Sequence, residues 1–205
     1  MASMEKQIKD HFARVDPKLH AVLIQLEGKT DRLTPTKSTD YFADLCEAII
    51  NQQLSDKAAA TIYKRFLDLF PKRRVTPEFL LRLKDEQIRG VGTSWNKVKF
   101  LTSLARAVVD RTIKLASLDT LPDIEVVTEL TKLHGIGPWT AEMFLMFSLG
   151  RPDVFSYGDV GLRRAIQKLY ALKKEPTPKQ MEKISRKWAP YRTYACRILW
   201  RSLDT

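Results

Sequence analysis

The chain has 205 residues and a formal net charge of +11, with 44% apolar and 29% charged residues. This length fits one domain or two closely packed lobes around a real core. It contains no apolar run of about 18 residues that could cross a membrane. The polar start MASMEKQIKD lacks a secretory signal, so we expect a cytoplasmic, nucleoid-associated protein in a bacterium or a nuclear one in a eukaryote. The positive charge favours a polyanionic partner.

The number of cysteines and the distribution of charge further restrict the kind of protein that this chain can be. Cys46 and Cys196 lie far apart and show no metal-ligand spacing, so we predict two buried apolar thiols. Two cysteines exclude an iron–sulfur cluster held by four. The basic residues are spread along folded-looking segments, which suits a surface shaped against phosphates; these segments are 72–74, 163–164, 173–174 and 192–201.

Helical periodicity dominates the chain from its start to its end. Apolar residues recur at the spacing of one helix face in four segments, and none alternates long enough to predict a β-sheet. The four stripes are Leu19, Val22, Leu23 and Leu26; Phe42, Leu45, Cys46, Ile49 and Ile50; Val98, Leu101, Ala105 and Val108; and Leu162, Ala165, Ile166 and Leu169. The sequence therefore predicts an all-α fold of ten or eleven helices.

Local signals place several helix boundaries along the chain. Thr76-Pro77 and Thr177-Pro178 each put a capping residue before a proline at the first helical position. Ser94 is predicted to cap a helix that runs to about Asp110, after a break at Gly90 and Gly92. The polar segment 28–38 is the predicted linker.

The stretch LHGIGPWTAEMF, residues 133–144, carries the most functional information. Gly135 and Gly137 between two amphipathic runs predict a tight turn in which glycine can take positive φ. The turn lets a phosphate approach the backbone, and the next helix offers its free amides and positive dipole end. Thr140 in the first turn could add a hydroxyl donor. Such a turn is suited to binding one backbone phosphate without reading sequence.

Three other interpretations of this stretch compete. It could be a plain glycine-rich connection between helices. A dinucleotide fingerprint would need a preceding strand and a third small residue, whereas a helical run precedes here. A nucleotide P-loop would need a Gly-Lys-Ser/Thr sequence that this stretch lacks.

Residues 133–141 resemble the helix-hairpin-helix of the DNA glycosylase superfamily that is named for this hairpin, its Gly/Pro-rich loop and a following aspartate. Asp159 stands at the family spacing in FSYGDVGLRRA. IINQQLSDKAAA, 49–60, resembles the family's early helix, and WAPYRTYACRILW, 188–200, resembles the C-terminal segment of its alkylated-base branch. The resemblance covers the chain from about Tyr41 onward and implies a glycosylase.

The resemblance implies a single glycosylase unit with two helical lobes and the hairpin at their cleft. Lobe one would span 39–144, including the hairpin at 133–141, and lobe two would combine 1–38 with 145–205. The chain departs from the family pattern at two positions. His134 replaces a common proline, and Gly158 stands where relatives of this branch often have a second acidic residue.

The resemblance also implies a role for each site residue. Asp159 would be catalytic, stabilising the oxocarbenium ion of the sugar or activating water; it could also act as an N-cap. Gln53 would be the wedge that fills the hole left by the extruded base. Residues that would line the base pocket are Trp139, Trp200 and Met143. DNA contacts are expected from Gln53, Ser55, Lys97, Gly135, Ile136, Gly137 and Thr140.

The implied substrate is double-stranded DNA with alkylated purines such as 3-methyladenine and 7-methylguanine. Trp139 occupies the place where the lyase branch carries a nucleophilic lysine, so a monofunctional enzyme is expected. No cofactor is expected to be required, although backbone carbonyls of Thr131, Leu133 and Ile136 could hold a Na⁺ or K⁺ ion. A monomer is the default. Two alternatives are a glycosylase for oxidised or mismatched bases and a non-catalytic DNA-binding hairpin module.

Overall fold

The computed structural model describes residues 2–26 and 36–203, and in these residues it contains helices and no β-strand. The predicted all-α fold class is confirmed. The chain divides into two compact units, residues 38–149 and residues 1–37 with 150–205. Most of the predicted linker, 28–38, lies outside the described residues. None of the described helices has the length and apolarity that crossing a bilayer requires.

The unit 38–149 is built around one apolar helix, α3. Its predicted stripe, from Phe42 to Ile50, is buried at all five positions. This helix packs against α4, α7 and α9, and such burial is the main source of helix stability in a folded protein. The helices of this unit are α3 (Tyr41–Asn51), α4 (Asp56–Leu67), α5 (Pro77–Leu80), α6 (Asp85–Gly90), α7 (Trp95–Val109), α8 (Asp123–Thr131) and α9 (Pro138–Phe147).

The other unit brings the two ends of the chain together. Its helices are α1 (Ala2–Val15), α2 (Pro17–Leu26), α10 (Val160–Tyr170), α11 (Pro178–Ser185) and α12 (Arg192–Arg201). Helix α2 packs against α1, α10 and α12, and α10 packs against α12. Leu19, Leu162 and Ile166 are fully buried, as their stripes predicted. Cys46 and Cys196, one in each unit, are both buried thiols as well.

The capping signals in the sequence are confirmed. The side chains of Thr76, Ser94 and Thr177 each accept a hydrogen bond from the backbone amide three residues on, at the starts of α5, α7 and α11. Two short helices, α5 and α6, bring the number of α-helices in the described residues to twelve, above the predicted ten or eleven. Both are too short to show apolar periodicity; Thr76-Pro77 marked the start of α5, whereas α6 was not predicted.

A buried carboxylate, Asp16, ties the N-terminal helices to the C-terminal part of the same unit. Its Oδ2 accepts hydrogen bonds from the Trp188 indole at 2.7 Å, the Lys187 ammonium at 3.0 Å and the Tyr170 hydroxyl. Its Oδ1 accepts one from the Leu19 amide at 3.2 Å. Burial opposes ionisation of Asp16, but these hydrogen bonds outweigh it and lower its pKa.

We expect Asp16→Asn to lower the free energy of unfolding by about 1–3 kcal/mol, because buried donors lose a charged acceptor. Since the folded-state pKa of Asp16 is lowered, its contribution is complete above the unfolded pKa of about 4 and is lost as pH falls through the folded value. Urea unfolding between about pH 7 and about pH 2 should show a shallower acid loss in the variant. The exposed Asp10→Asn is the control, and equal pH slopes for Asp16→Asn and wild type would contradict the assignment.

Candidate active site and nucleic-acid interface

Asp159 is the N-cap of α10, and its side chain is only 8% exposed. Its Oδ1 accepts a hydrogen bond from the Leu162 amide at 2.7 Å and another from the Trp200 indole at 2.9 Å. The sequence left a catalytic carboxylate and a helix cap as two compatible uses of this residue. The cap is present, and with the indole it fixes the carboxylate in one orientation at the positive end of a helix.

Trp200 has a contact that the sequence did not predict. Its partly buried ring donates to Asp159 from the last turn of α12, whereas the resemblance implied a wall of the base pocket; that wall stays a prediction. Gly161 makes the approach possible. A Cβ there would lie 3.1 Å from Oδ1 of Asp159 and 3.2 Å from Cδ1 of Trp200, so a larger residue would crowd both groups.

The first turn of α12 anchors the loop that leads to Asp159. Arg192 forms a bidentate ion pair with Asp153, at 2.8 and 2.9 Å. The hydroxyl of Thr193 donates to Arg151 O at 2.6 Å and accepts from the Val154 amide at 3.0 Å. Helix α12 therefore fixes the loop with one end and the Asp159 carboxylate with the other. The C-terminal block WAPYRTYACRILW is conspicuous in sequence, but these long-range partners cannot be read from it.

In the other unit, the hairpin between α8 and α9 has the turn that its glycines predict. Gly135 has φ +90°, and a Cβ on it would lie 2.2 Å from Cγ of Phe100, so only glycine fits. Gly137 differs from the prediction, because its φ is −94° and it serves as the N-cap of α9. It is exposed, and no atom lies within 4 Å of a Cβ placed there. A phosphate can therefore approach the start of α9 along an open backbone.

Two hairpin residues that were predicted to contact DNA, Ile136 and Thr140, are buried in the structure. Ile136 is buried, and its amide donates to Leu133 O at 3.1 Å, so neither group is presented at the surface. Thr140 is 4% exposed, and its hydroxyl lies 3.4 Å from the side-chain nitrogen of Gln52. Both residues support the loop from inside. Spacing placed them beside the amides that are predicted to bind a phosphate, but it could not show which way their side chains point.

The turn between α3 and α4, residues 52–55, carries the predicted wedge. Gln53 has φ +57°, a left-handed conformation that costs a non-glycine residue about 1 kcal/mol, and its side chain is exposed. Leu54 beside it is also exposed. Ser55 is the N-cap of α4, but its hydroxyl makes no capping hydrogen bond. The turn thus presents two large side chains outward, as a wedge requires; the insertion itself stays a prediction.

Lys97 is placed differently from its predicted role as a phosphate ligand. Its ammonium donates to Ile50 O and Gln52 O, both at 2.8 Å, and so satisfies carbonyls at the end of α3. Burial lowers the pKa of Lys97. Residues of two predicted basic segments also have acidic partners, since Arg192 binds Asp153 and Arg163 lies 3.8 Å from Glu175. Part of the basic excess therefore serves the fold.

A cavity of about 450 Å³ lies between α3 and α9. Trp139, which is 45% exposed, and Met143 both line it, as the sequence predicts for a base pocket. Asp44 and Glu47 from α3 add two carboxylates that sequence analysis missed. Their spacing on the helix places them on one face, but the helix pattern alone did not show that α9 leaves a gap there.

The charged residues that line this cavity, Asp44 and Glu47, are both acidic although the chain is basic. Oδ2 of Asp44 is buried and makes no hydrogen bond to any described residue. Burial, together with the charge of Asp44, raises the pKa of Glu47, while a hydrogen bond from Asn51 opposes the shift. An aromatic cavity with unneutralised carboxylate favours a flat cationic ligand through both cation–π and direct charge attraction.

The predicted cation site lies in the hairpin loop. Thr131 ends α8, and the carbonyl of Leu133 accepts the Ile136 amide, which leaves it one further lone pair. The three carbonyls of Thr131, Leu133 and Ile136 thus lie at the end of α8 and in the short loop that follows it. No cluster of acidic, histidine or cysteine side chains in the described residues could hold a metal. The monovalent ion stays a prediction.

The chain belongs to the HhH-GPD superfamily of base excision DNA repair proteins, whose pattern it matches over residues 46–191. It is 34% identical over 186 residues to DNA-3-methyladenine glycosylase 1 of Schizosaccharomyces pombe, covering 88% of this chain and 80% of that protein. These matches confirm the family that the hairpin, Asp159 and the C-terminal block indicated.

Two solved structures share the fold over nearly the whole chain. The S. pombe 3-methyladenine DNA glycosylase in complex with abasic DNA superposes with a TM-score of 0.88 at 30% identity, over 97% of both chains. A DNA-3-methyladenine glycosidase of Bacillus halodurans gives a TM-score of 0.80 at 37% identity, over 97% of this chain and 89% of that one.

The two hairpin glycines allow a matched test of the loop. We expect Gly135→Ala to lower the free energy of unfolding by about 1–3 kcal/mol, because it strains the backbone and displaces Phe100. Gly137→Ala should cost less than about 1 kcal/mol but weaken binding to undamaged duplex DNA. Urea unfolding and fluorescence anisotropy measure the two effects. Equal destabilisation by both substitutions would contradict the assigned conformations.

Proposed function

We propose that this protein is a monofunctional DNA glycosylase that removes alkylated purines from double-stranded DNA in base excision repair. The observation that carries the proposal is Asp159, a buried carboxylate held by the Leu162 amide and the Trp200 indole. It follows the hairpin in a chain that belongs to a base excision repair superfamily. The relatives named as 3-methyladenine DNA glycosylases support the alkylated-base branch.

Asp159 supplies the negative charge that the reaction needs. The bond between C1′ and the base nitrogen breaks, its electron pair leaves with the base, and the sugar becomes an oxocarbenium ion. Water then adds to C1′ and loses a proton, which leaves an abasic site. A carboxylate at about 4 Å from that cation is worth about 4 kcal/mol at an effective dielectric constant of about 20. That energy corresponds to roughly 10³-fold in rate.

The cavity between α3 and α9 supports a cationic substrate base. N-alkylation at a purine ring nitrogen puts positive charge on the ring, and an indole face attracts such a ring by about 0.5–2 kcal/mol. Trp139 offers this face, and Asp44 and Glu47 add negative charge. The same charged base leaves as a neutral molecule, so the reaction needs no strong general acid.

Trp139 also supports a monofunctional reaction. It stands at the position where, by family resemblance, the lyase branch carries its lysine nucleophile. An indole cannot form a Schiff base with the sugar, so this position supplies no nucleophile for a lyase step and water is the proposed attacking group.

We expect Asp159→Asn to reduce single-turnover release of 7-methylguanine by about 10³-fold while retaining affinity for DNA, because it removes charge and keeps shape. Trp200→Phe, which removes only one donor to Asp159, should cause a smaller loss. The assay is a gel of lesion-containing duplex with and without alkali. Strand cleavage should require alkali.

Two results would contradict this function. Release of no base from any lesion would favour a non-catalytic DNA-binding module. Strand cleavage without alkali would contradict the role assigned to Trp139. Full activity of Asp159→Asn would mean that the protein is a glycosylase but that Asp159 is not its catalytic group.

The cavity carboxylates predict selectivity by charge. Asp44→Asn should lower kcat/KM for cationic 7-methylguanine about tenfold, a loss of about 1.4 kcal/mol, and should spare the neutral lesions hypoxanthine and ethenoadenine. Glu86→Gln, an exposed carboxylate on α6 in the same unit, is the control for net charge. An equal effect of Asp44→Asn on charged and neutral lesions would contradict the selectivity.

A further inference from the structure

The wedge turn, residues 52–55, is tied directly to the hairpin loop, although 83 residues separate the two contacting positions in sequence. Nε2 of Gln52 donates to Gly135 O at 2.9 Å and lies 3.4 Å from Oγ1 of Thr140. Gln52 is partly buried, in contrast to the exposed Gln53 that follows it. Two adjacent glutamines therefore have opposite orientations, one toward the hairpin and one toward solvent.

Helix α7 holds the same two segments from a third side. Lys97 in its first turn donates to Gln52 O and Ile50 O at 2.8 Å, which fixes the backbone where α3 ends. Phe100, three residues on, fills the space beneath Gly135 and packs edge-on against His134 at 4.8 Å. One helix face thus contacts the wedge turn through Lys97 and the hairpin loop through Phe100, while Gln52 joins the two directly.

We propose that Gln52 and Lys97 are positioning residues that hold the wedge turn at a fixed distance from the hairpin, so that phosphate binding and base extrusion occur together. The inference rests on the proposed function, since it assigns these residues to the extrusion step of that reaction. We name this set of contacts among Gln52, Lys97 and the Gly135 carbonyl the brace.

The brace has a physical reason to exist. Extruding a base costs a few kcal/mol of unstacking and unpairing, which the wedge must offset at the moment of extrusion. The hairpin would contact only the sugar-phosphate backbone of DNA. It can therefore determine where the wedge enters the base stack only if the hairpin and the wedge turn are rigidly joined. A misplacement of about 1 Å can cost about 100-fold in rate. Gln53 has a left-handed backbone in a turn that the Leu54 amide closes by donating to Asn51 O at 3.2 Å, and the brace holds the residue on its N-terminal side.

The brace predicts a defect that depends on base pairing. Gln52→Met keeps the length of the side chain and removes its donor. We expect it to slow single-turnover release of 7-methylguanine opposite cytosine at least about tenfold. The same lesion opposite an abasic analogue is already unpaired, so the variant should release it less than about threefold more slowly than the wild type does. Lys97→Met should give the same pattern. A 2-aminopurine beside the lesion reports extrusion independently of excision.

Gln167→Met is the matched control in the other unit. Gln167 also donates its side-chain amide to a backbone carbonyl, that of Leu172 at 3.3 Å. The control therefore loses a comparable hydrogen bond and should keep the ratio of paired to unpaired rates at the wild-type value. Any general loss of folded protein reduces both rates equally and leaves the ratio unchanged.

The outcomes of these experiments distinguish a failure of the brace proposal from a failure of the proposed function. Equal slowing on paired and unpaired lesions by Gln52→Met would overturn the brace while the glycosylase stands. If Lys97→Met instead weakened all DNA binding and reduced the salt dependence by about one phosphate contact, Lys97 would be a phosphate ligand and not a brace residue. A wild type that releases no base would refute the proposed function, and the 2-aminopurine signal would still test the brace.

Discussion

The chemistry assigned to this protein depends on one carboxylate held in a fixed orientation. Asp159 is bound by an amide at the start of α10 and by an indole at the end of α12, so two helices of one unit determine where its charge lies. A preorganised charge does not have to reorient as the sugar cation forms, which is why such groups contribute much of an enzyme's rate enhancement. Gly161 leaves room for the Trp200 indole beside this carboxylate, and Arg192 and Thr193 anchor the loop that leads to it.

Phosphate binding and recognition of the damaged base are assigned to different parts of the structure. The hairpin is predicted to offer backbone groups to a phosphate without reading sequence, as a repair enzyme that must search all DNA requires. Recognition is assigned to a cavity whose aromatic and acidic lining differs in charge from the basic chain around it. On the proposed function, the net positive charge would attract DNA, and the acidic lining of the cavity would favour cationic bases.

Sequence reasoning succeeded where the signal was local and periodic. The α3 stripe, the three capping residues and the glycine fit at Gly135 were all predictable, because helix period and backbone geometry depend on near neighbours. It failed where the role of a residue depended on the direction of its side chain or on a partner distant in the sequence. Thr140 and Ile136 turn inward, and Lys97 binds carbonyls from α3. The carboxylates of Asp44 and Glu47 face a cavity that only the packing of α9 creates, so no local pattern marked them.

The most direct test of the central claim uses equilibrium binding without catalysis. Duplexes that carry a cationic pyrrolidine in place of the damaged nucleotide mimic the charged sugar, and a neutral tetrahydrofuran of the same shape does not. The wild-type protein should bind the cationic duplex at least about tenfold more tightly, since the enzyme is complementary to the transition state. Asp159→Asn should abolish this preference. Equal affinity of the wild type for both duplexes, or an unchanged preference in Asp159→Asn, would contradict the account.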